Sequence, residues 1–219
     1  MASVLLFDVN GTLLDLGALD PAFERAFGDA GARRTWFATV KELFLTQTVV
    51  GAYDDFAALA AAALDLEAAR RGTPPGDAAA VLDEVTALPA HPEVDAALGR
   101  LGGAGWRLAA LTNGTPEAVA AQLDHAGLAG RFEAALSADA VRRYKPAPEP
   151  YRWACSQLGV APADAVMVAA HAWDLAGAAA AGLGTAFVDR DGAGWPSVHA
   201  PPDAAGRDLE EVADRLLGR

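Results

Sequence analysis

The stretch VLLFDVNGTLLD, residues 4–15, decides the fold. Four apolar residues are followed at once by Asp8 and then by a turn that contains Gly11. A short apolar run closed by a turn signal predicts a buried β-strand. Open α/β sheets bind their ligands beyond the carboxyl ends of the strands, so Asp8 is predicted to lie at a ligand site. The residue two positions after this acid is an amide, Asn10.

Composition restricts the class of protein. The chain has 219 residues and a formal net charge of −12, whereas nucleic acids and anionic membranes bind to basic surfaces. No apolar run approaches the roughly 18 residues of a membrane-spanning helix, and the first apolar run is too short for a signal peptide. The single cysteine, Cys155, cannot form an internal disulfide, which suits a reducing compartment. We therefore expect a cytoplasmic protein that acts on a small-molecule substrate and binds neither nucleic acid nor membrane; a homodimer is one assembly that it could form.

The order of predicted elements indicates an α/β fold. Up to residue 88, the spacing of apolar residues after the first strand predicts only helices. These helices are expected at 20–30, 34–50, 53–70 and 77–87. Later, strands alternate with helices, which predicts a parallel sheet covered on both faces. The later strands are expected at 107–113, 134–137, 165–170 and 185–189, with a loop at 191–206.

The expected fold is therefore a Rossmann-like, doubly wound parallel sheet with an all-helical cap inserted after the first strand. Residues 1–14 and 91–219 would form the α/β core domain. Residues 15–90 would form the helical cap domain.

Polar residues follow several predicted strands, where a parallel sheet gathers them at one edge. Asp8 follows the first strand, Thr112 and Asn113 end the second, and Asp174 follows a later one. Taken singly, Thr112 and Asn113 fit a turn, Asp174 fits a helix N-cap and Lys145 fits a surface charge. Together, a candidate nucleophile, a hydroxyl–amide pair, a lysine and a second acid occur in one topological order, which indicates an active site.

These residues resemble the motifs of the haloacid dehalogenase superfamily. Its first motif is an aspartate, two variable residues, Gly, Thr and Leu or Val, and the chain matches it from Asp8. The stretches LTNGTPE, YKPAPEPY and VAAHAWD are similar to the later motifs, in which Lys145, Tyr151 and Asp174 match. The resemblance runs over most of the chain and is closest to the L-2-haloacid dehalogenase (type II) branch. Trp36 also resembles a cap residue of that branch.

The amide at position 10 favours one chemistry over another. Phosphatases of this superfamily carry an acid two residues after the nucleophile, because the alkoxide expelled from phosphorus needs a proton. Asn10 cannot supply that proton, whereas a halide expelled from carbon needs none. Ala170 stands where those phosphatases have a metal-binding acid, and magnesium requires several oxygen ligands. We therefore predict a nucleophile that works without a metal and without a cofactor.

The resemblance implies a two-step covalent hydrolysis. Asp8 attacks the substrate carbon and forms an aspartyl ester, and water then attacks the ester carbonyl. Lys145 would hold Asp8 ionised, since a nearby cation lowers the pKa of a carboxylate. Asp174, or alternatively His171, would orient or deprotonate the water. The predicted catalytic residues are thus Asp8, Lys145 and Asp174.

Nine further residues are predicted to contact the substrate, the leaving group or the nucleophile. Thr12 and Thr112 would fix the Asp8 carboxylate by hydrogen bonds, and by resemblance Asn113 would contact the departing halide. The full set is Asn10, Thr12, Trp36, Phe37, Thr112, Asn113, Tyr151, His171 and Trp173.

The resemblance breaks at residues that recognise a haloacid. The type II branch receives the halide with a cap arginine, and the corresponding position here is Phe37. An asparagine of the last motif becomes His171, and both of its serines become alanines. On a dehalogenase interpretation, Trp36, Phe37 and Trp173 would line the leaving-group pocket, and an indole N–H would replace the arginine.

Three functions stay open on the sequence alone. The first is a dehalogenase-type hydrolase with altered substrate choice. The second is a phosphatase or phosphonate-type hydrolase, against which Asn10 and Ala170 both count. The third is a non-catalytic binding protein on the same fold, against which the joint presence of Asp8, Lys145 and Asp174 counts.

Overall fold

The computed structural model describes residues 4–72 and 76–218, and in this part of the chain the strands form a single parallel sheet. Its strands are β1 (Val4–Phe7), β2 (Arg107–Thr112), β3 (Ala134–Ser137), β4 (Ala165–Ala169), β5 (Gly184–Val188) and β6 (Ala204–Gly206). The spatial order is β3-β2-β1-β4-β5-β6. The chain therefore runs outward in one direction from β1 and later in the other, and β1 and β4 meet at the switch point where such sheets bind ligands.

The helices cover both faces of this sheet and also form the block between its first two strands. Within the described residues they are α1 (Asp20–Phe27), α2 (Ala32–Val50), α3 (Phe56–Arg71), α4 (Gly76–Val85), α5 (Val94–Gly103), α6 (Pro116–His125), α7 (Pro148–Gln157), α8 (Ala172–Ala181) and α9 (Leu209–Leu217). None of them is long and apolar enough to cross a membrane.

Alternation along β1 explains why the sheet needs cover on both faces. Leu5 and Phe7 pack with α5, α6 and α9, whereas Val4 and Leu6 pack with α7 and α8. All four side chains are fully buried, since successive residues of a strand point to opposite faces. The predicted fold class, a doubly wound parallel sheet with a helical insertion after the first strand, is confirmed.

The helical insertion leaves and rejoins the sheet at two adjacent chain segments. Leu14 pairs with Ala90 in an antiparallel bridge. On either side of it, the N–H of Asp15 donates to the carbonyl of Pro89 at 2.9 Å, and the N–H of His91 donates to Leu13 at 3.0 Å. These bonds lie at the predicted boundaries between core and cap. The division into two domains stays a prediction.

The structure differs from the sequence prediction at the far edge of the sheet. Residues 191–206 are not entirely loop, because residues 204–206 form β6 and pair in parallel with β5. Ala-Ala-Gly carries no apolar alternation and little β-propensity, so nothing local marks this strand. Its pairing depends on the neighbouring edge strand and on α9, which packs against it through Val212 and Ala213.

Candidate active site

Asp8 lies where β1 ends and is held there by backbone and side-chain bonds. Its N–H donates to the carbonyl of Val168 in β4 at 3.0 Å, which fixes the residue at the switch point. The Thr12 hydroxyl donates to Asp8 Oδ2 at 2.7 Å and accepts the N–H of Ala170 at 2.9 Å. Gly11 allows the turn between them, since its φ of 82° lies in the left-handed region that favours glycine.

Lys145 is a buried cation between two carboxylates. Its Nζ lies 2.9 Å from Oδ1 of Asp8, 2.7 Å from Oδ2 of Asp174 and 2.8 Å from the carbonyl of Leu111. These three acceptors satisfy all three hydrogens of the ammonium group. The side chain is fully buried, so its charge acts on both carboxylates with little screening by water.

The pKa values in this trio shift in different directions. Burial alone raises the pKa of Asp8, but the charge of Lys145 and the hydrogen bonds from Lys145 and Thr12 contribute to setting this pKa below its ordinary value. Burial and the charge of Asp8 raise the pKa of Asp174 despite the nearby cation. Burial lowers the pKa of Lys145, but the two carboxylates raise it above its ordinary value. The stable arrangement is therefore an ionised Asp8 beside a protonated Lys145.

Asp174 is fully enclosed, and its second carboxylate oxygen is also occupied. The Tyr151 hydroxyl lies 2.5 Å from Oδ1 of Asp174 and 2.9 Å from the carbonyl oxygen of the same residue. Burial, with the charge of Asp174, raises the pKa of Tyr151 well above its usual range, which keeps the hydroxyl protonated as a donor. Tyr151 therefore acts on the site through Asp174.

Thr112 and Asn113 shape the turn after β2. The Asn113 amide donates to the carbonyl of Lys145 at 3.2 Å and accepts the Lys145 N–H at 2.8 Å, so it fixes the backbone that carries the cation. The Thr112 hydroxyl accepts the N–H of Gly114 at 3.0 Å. The hydrogen bond predicted from Thr112 to Asp8 is not among the contacts of the structure, and Thr12 makes that contact instead.

His171 lies beside the nucleophile and is held by the turn that follows it. Its Nε2 is 3.0 Å from the carbonyl oxygen of Asn10 and 3.8 Å from Oδ2 of Asp8. A carbonyl oxygen only accepts, so Nε2 carries a hydrogen and Nδ1 is the nitrogen available as a base. The imidazole stacks on the Trp173 indole, with ring centroids 5.5 Å apart.

Two cavities meet at an aromatic wall formed by Phe37, His171 and Trp173, which line both of them. The inner cavity, which reaches Asp8, has a volume of about 20 Å³, whereas the outer cavity has about 920 Å³. The inner cavity therefore holds roughly one water molecule. A substrate of several atoms must therefore displace part of the aromatic wall or enter as the cap moves from the core.

Most of the predicted site residues surround the inner cavity. Those that line it are Asp8, Asn10, Phe37, Thr112, Asn113, Lys145, His171 and Trp173. Thr12, Tyr151 and Asp174 are not part of its lining and reach it through Asp8 and Lys145. The buried indole N–H of Trp173 has no hydrogen-bond partner among the described residues, and its side chain belongs to the cavity lining.

Trp36 is placed differently from the prediction. It lies in the core of the cap, where its ring packs against Phe23 and its N–H donates to the carbonyl of Ala60 at 3.0 Å. It lines neither cavity. In a helix, adjacent residues point about 100° apart, so α2 turns Phe37 toward the aromatic wall and Trp36 into the cap.

Sequence reasoning missed three side chains that line the inner cavity or contact a residue that lines it. Phe44 and Phe56, both from the cap, complete its apolar side. Gln122 of α6 is buried and bonded to Asn10. One signal was available for Gln122, because it interrupts the buried apolar stripe of α6 between Val119 and Leu123.

The donor set shows what the site offers to a cation. Among the described residues, no group of three histidine, cysteine, aspartate or glutamate side chains is placed to hold a metal ion. At Ala170, the position of an acid in the related phosphatases, the structure offers a methyl group and an N–H that already bonds Thr12. The ammonium of Lys145 bridges Asp8 and Asp174. Catalysis without a metal or cofactor stays a prediction.

Comparison with known proteins gives concordant matches in sequence and in fold. The sequence pattern of the haloacid dehalogenase-like hydrolases matches residues 2–182. The (S)-2-haloacid dehalogenase 1 of Pseudomonas sp. (strain CBS-3) is 31% identical over 216 residues, covering 97% of this chain and 95% of that protein.

Two solved structures show the same similarity in three dimensions. The L-2-haloacid dehalogenase RSc1362 is 29% identical with a TM-score of 0.94, over 100% of this chain and 99% of that one. The L-2-haloacid dehalogenase from Xanthobacter autotrophicus, with chloropropionic acid covalently bound, is 26% identical with a TM-score of 0.91, over the same shares of the two chains.

Proposed function

Because this chain belongs to the haloacid dehalogenase-like hydrolases, we propose that it hydrolyses the carbon–halogen bond of small 2-haloacids with Asp8 as the nucleophile. The observation that carries the proposal is the ionised Asp8 carboxylate, which faces a small cavity beside a buried Lys145. The residue two positions on, Asn10, carries no proton for a poor leaving group. Halide is a leaving group that needs none.

In the first step, a carboxylate oxygen of Asp8 forms a bond to the α-carbon of the substrate as the carbon–halogen bond breaks. The bonding electrons leave with the halide, and the product is an aspartyl ester. Thr12 and Lys145 hold the carboxylate in one orientation through bonds of 2.7 and 2.9 Å. Such fixed positioning of the nucleophile is itself a large part of the rate enhancement.

In the second step, water attacks the carbonyl carbon of the ester and the Asp8 carboxylate is restored. The water loses a proton, and His171, which lines the inner cavity, offers Nδ1 to take it. Asp174 is the other predicted acceptor, with its pKa raised by burial. It lies outside the cavity lining and both of its carboxylate oxygens are hydrogen-bonded, so it would act only after its contacts with Lys145 and Tyr151 rearrange. The 2-hydroxyacid keeps the oxygen that came from Asp8, and the α-carbon is inverted once.

The cavity lining suggests which substrates are preferred. About 20 Å³ of free space and an aromatic lining favour a short carbon chain. The departing halide gains negative charge, and Asn113 and Trp173, whose indole N–H has no partner among the described residues, are neutral donors among the residues that line the cavity. Phe37 offers no donor where the related branch has an arginine, so we expect slower halide release than in that branch.

Single-turnover reaction in H₂¹⁸O tests the covalent mechanism. With enzyme in excess over a 2-haloacid, the first product should contain no ¹⁸O, and the label should appear in the Asp8 carboxylate by mass spectrometry. Asp8→Asn is the matched control, which should neither release halide nor take up label. Label that enters the product in the first turnover would show direct attack by water and exclude the aspartyl ester.

The cellular location and the oligomeric state of the protein are proposals of their own. We propose a cytoplasmic location, because Cys155 is a free cysteine and a free thiol suits a reducing compartment. A homodimer stays a prediction, which sedimentation analysis of the purified protein would test.

A further inference from the structure

We infer that Gln122 is a positioning residue that fixes the amide of Asn10, so that the Asn10 NH₂ group points into the inner cavity and donates to the carboxylate of the substrate. This inference rests on the proposed function for the identity of the ligand. The orientation of Asn10 itself follows from contacts within the protein.

Gln122 is a buried polar side chain that no step of the mechanism uses. It lies in α6 with 2% of its surface exposed. Its Nε2 is 2.9 Å from Oδ1 of Asn10 and 2.9 Å from the carbonyl oxygen of Val85. The two hydrogens of this amide nitrogen therefore each have one acceptor, and the pair of contacts is geometrically complete.

These two contacts leave only one orientation for each amide. The backbone carbonyl of Val85 can only accept, so Gln122 must present its nitrogen there. The second hydrogen on that nitrogen then faces Asn10, which must present its oxygen. The assignment of oxygen and nitrogen in both amides is thus fixed by a main-chain group whose polarity is known.

The consequence for Asn10 is an unused donor. Its side chain lines the inner cavity together with Asp8, and it is half-buried. Its backbone carbonyl is occupied by His171, and its Oδ1 by Gln122. Within the part of the chain that the structure describes, Nδ2 has no hydrogen-bond partner, and a cavity-lining amide NH₂ is a donor for an anionic group.

The direction of attack decides which substrate group accepts the hydrogen bond from the Asn10 NH₂ group, and it favours the substrate carboxylate over the halide. Displacement at carbon places the leaving group opposite the attacking oxygen, so the halide departs away from Asp8 and toward the cap. Asn10 belongs to the same turn as Asp8 and lies on the nucleophile's side. From there it reaches a substituent that flanks the reacting carbon, and in a 2-haloacid this is the carboxylate.

The same glutamine links the orientation of Asn10 to the cap. Val85 is the last residue of α4, the helix that precedes the return of the chain to the core. A cap that moved away from α6 would remove the acceptor that fixes Gln122, and the Asn10 donor would lose its orientation. A single buried amide therefore completes the substrate site only when the cap end of α4 is in place.

Reversal of the amide polarity is the sharpest test. In Gln122→Glu, the ionised carboxylate offers only acceptors, so above the pKa of this glutamate Asn10 must turn its NH₂ toward it and present Oδ1 to the cavity. Gln122→Met keeps the length and burial of the side chain but removes both donors. Gln157→Glu, at an exposed glutamine at the end of α7, is the matched control.

The readout is KM and kcat for chloroacetate and for the neutral chloroacetamide. A hydrogen bond to a charged group corresponds to about 10- to 100-fold in affinity. We expect Asn10→Ala and Gln122→Met each to raise KM for chloroacetate by about that factor and to change KM for chloroacetamide much less. Gln122→Glu should shift the preference further toward the amide, whose own N–H can donate to the turned Asn10.

The double variant Asn10→Ala/Gln122→Met adds a coupling test. If Gln122 acts through Asn10, its loss should have little further effect once Asn10 is alanine. Additive effects, or a chloroacetate-to-chloroacetamide ratio that stays at the wild-type value in variants with an unchanged melting temperature, would overturn the inference. Asn10→Ala still tests the donor if a Gln122 variant fails to fold.

Failure of the proposed function can be told apart from failure of this inference. If the wild-type protein releases no halide, the proposed function fails. Binding of unreactive propionate, followed by tryptophan fluorescence, then replaces KM in the same set of variants. Weaker propionate binding in Asn10→Ala and Gln122→Met would support the inference, and unchanged binding would refute it.

Discussion

Phe37 is the residue whose replacement most directly tests how the halide leaves. It lies in α2 of the cap and lines the inner cavity, with its ring centroid 5.7 Å from that of His171. Attack by Asp8 from the core expels the halide toward the cap, and Phe37 presents only a ring at that side. Phe37→Arg would place five N–H donors and a positive charge there.

The gain in rate and the cost in stability can be estimated separately. One preorganised donor aimed at developing negative charge contributes about 3–4 kcal/mol, or roughly 10²–10³ in rate. The cost comes from Lys41, whose Nζ lies 5.3 Å from the centroid of the Phe37 ring. Two unit charges at that separation repel by about 3 kcal/mol at an effective dielectric constant of about 20, and less with solvent screening.

The repulsion between the two cations acts on the folded protein, whereas both cations stabilise a departing halide. Phe37→Arg should therefore release halide faster and melt at a lower temperature, by up to about 10 °C at roughly 2–4 °C for each kcal/mol. The second change Lys41→Gln should recover much of the lost melting temperature. Ala38→Arg, which adds the same charge on the exposed face of α2, should leave the rate unchanged.

The assay is halide release from 2-chloropropionate, with the melting temperature measured on the same samples. A Phe37→Arg protein that is destabilised but no faster than wild type would refute the reasoning. That result would mean that the halide does not leave toward residue 37.

Three further results are expected. Lys145→Met should abolish halide release and lower the free energy of unfolding near neutral pH by about 3–5 kcal/mol, because two buried carboxylates lose their cation. The folded-state pKa values of Asp8 and Asp174 should then lie above those of the unfolded chain, so the loss should shrink as the pH falls toward about 4; urea unfolding that shows the same loss at every pH would contradict this. In the wild type, the pKa of Asp8 is lowered from its ordinary value of 3.8, so ester formation should persist when the pH falls below 3.8. The pKa of Asp174 is raised, so on acidification any step that needs its ionised form should be lost already at a pH above 3.8. If Asp174 activates the water, the aspartyl ester should accumulate on acidification in quenched-flow mass spectrometry, and parallel loss of both steps would point to another base. Finally, halide release should survive EDTA, and inhibition that magnesium reverses would favour the phosphatase alternative.

The parts of the fold that follow from local sequence were predictable. Continuous apolar runs mark β1, β2 and β4, because strands buried on both faces need apolar residues at every position. Polar residues lie at the carboxyl end of each of these strands or within five residues after it, and parallel topology then brings Asp8, Thr112 and Asp174 to one edge of the sheet. The alignment of the motif residues therefore follows from strand order alone.

The remaining parts depend on contacts between distant residues. β6 exists because an edge of the sheet was available to residues 204–206, which carry no strand pattern. Trp36 and Phe37 differ by one helical step, and only the packing of α2 decides which of the two faces the cavity. Gln122 and Asn10 are separated by 112 positions, so their bond could not be read from either local stretch.

The charge balance of the site shows why an amide suits position 10. One buried ammonium, Lys145, faces the carboxylates of Asp8 and Asp174, so the site has no positive charge to spare. A monoanionic substrate can be held there by neutral donors such as the Asn10 amide, whereas a phosphate dianion would bring two charges next to Asp8. Exchange of Asn10 for aspartate would supply the missing acid but add a further negative charge to the same cavity. Conversion of this site to phosphoryl transfer therefore requires a new source of positive charge. A metal ion could supply that charge, but the methyl side chain of Ala170 provides no ligand for one.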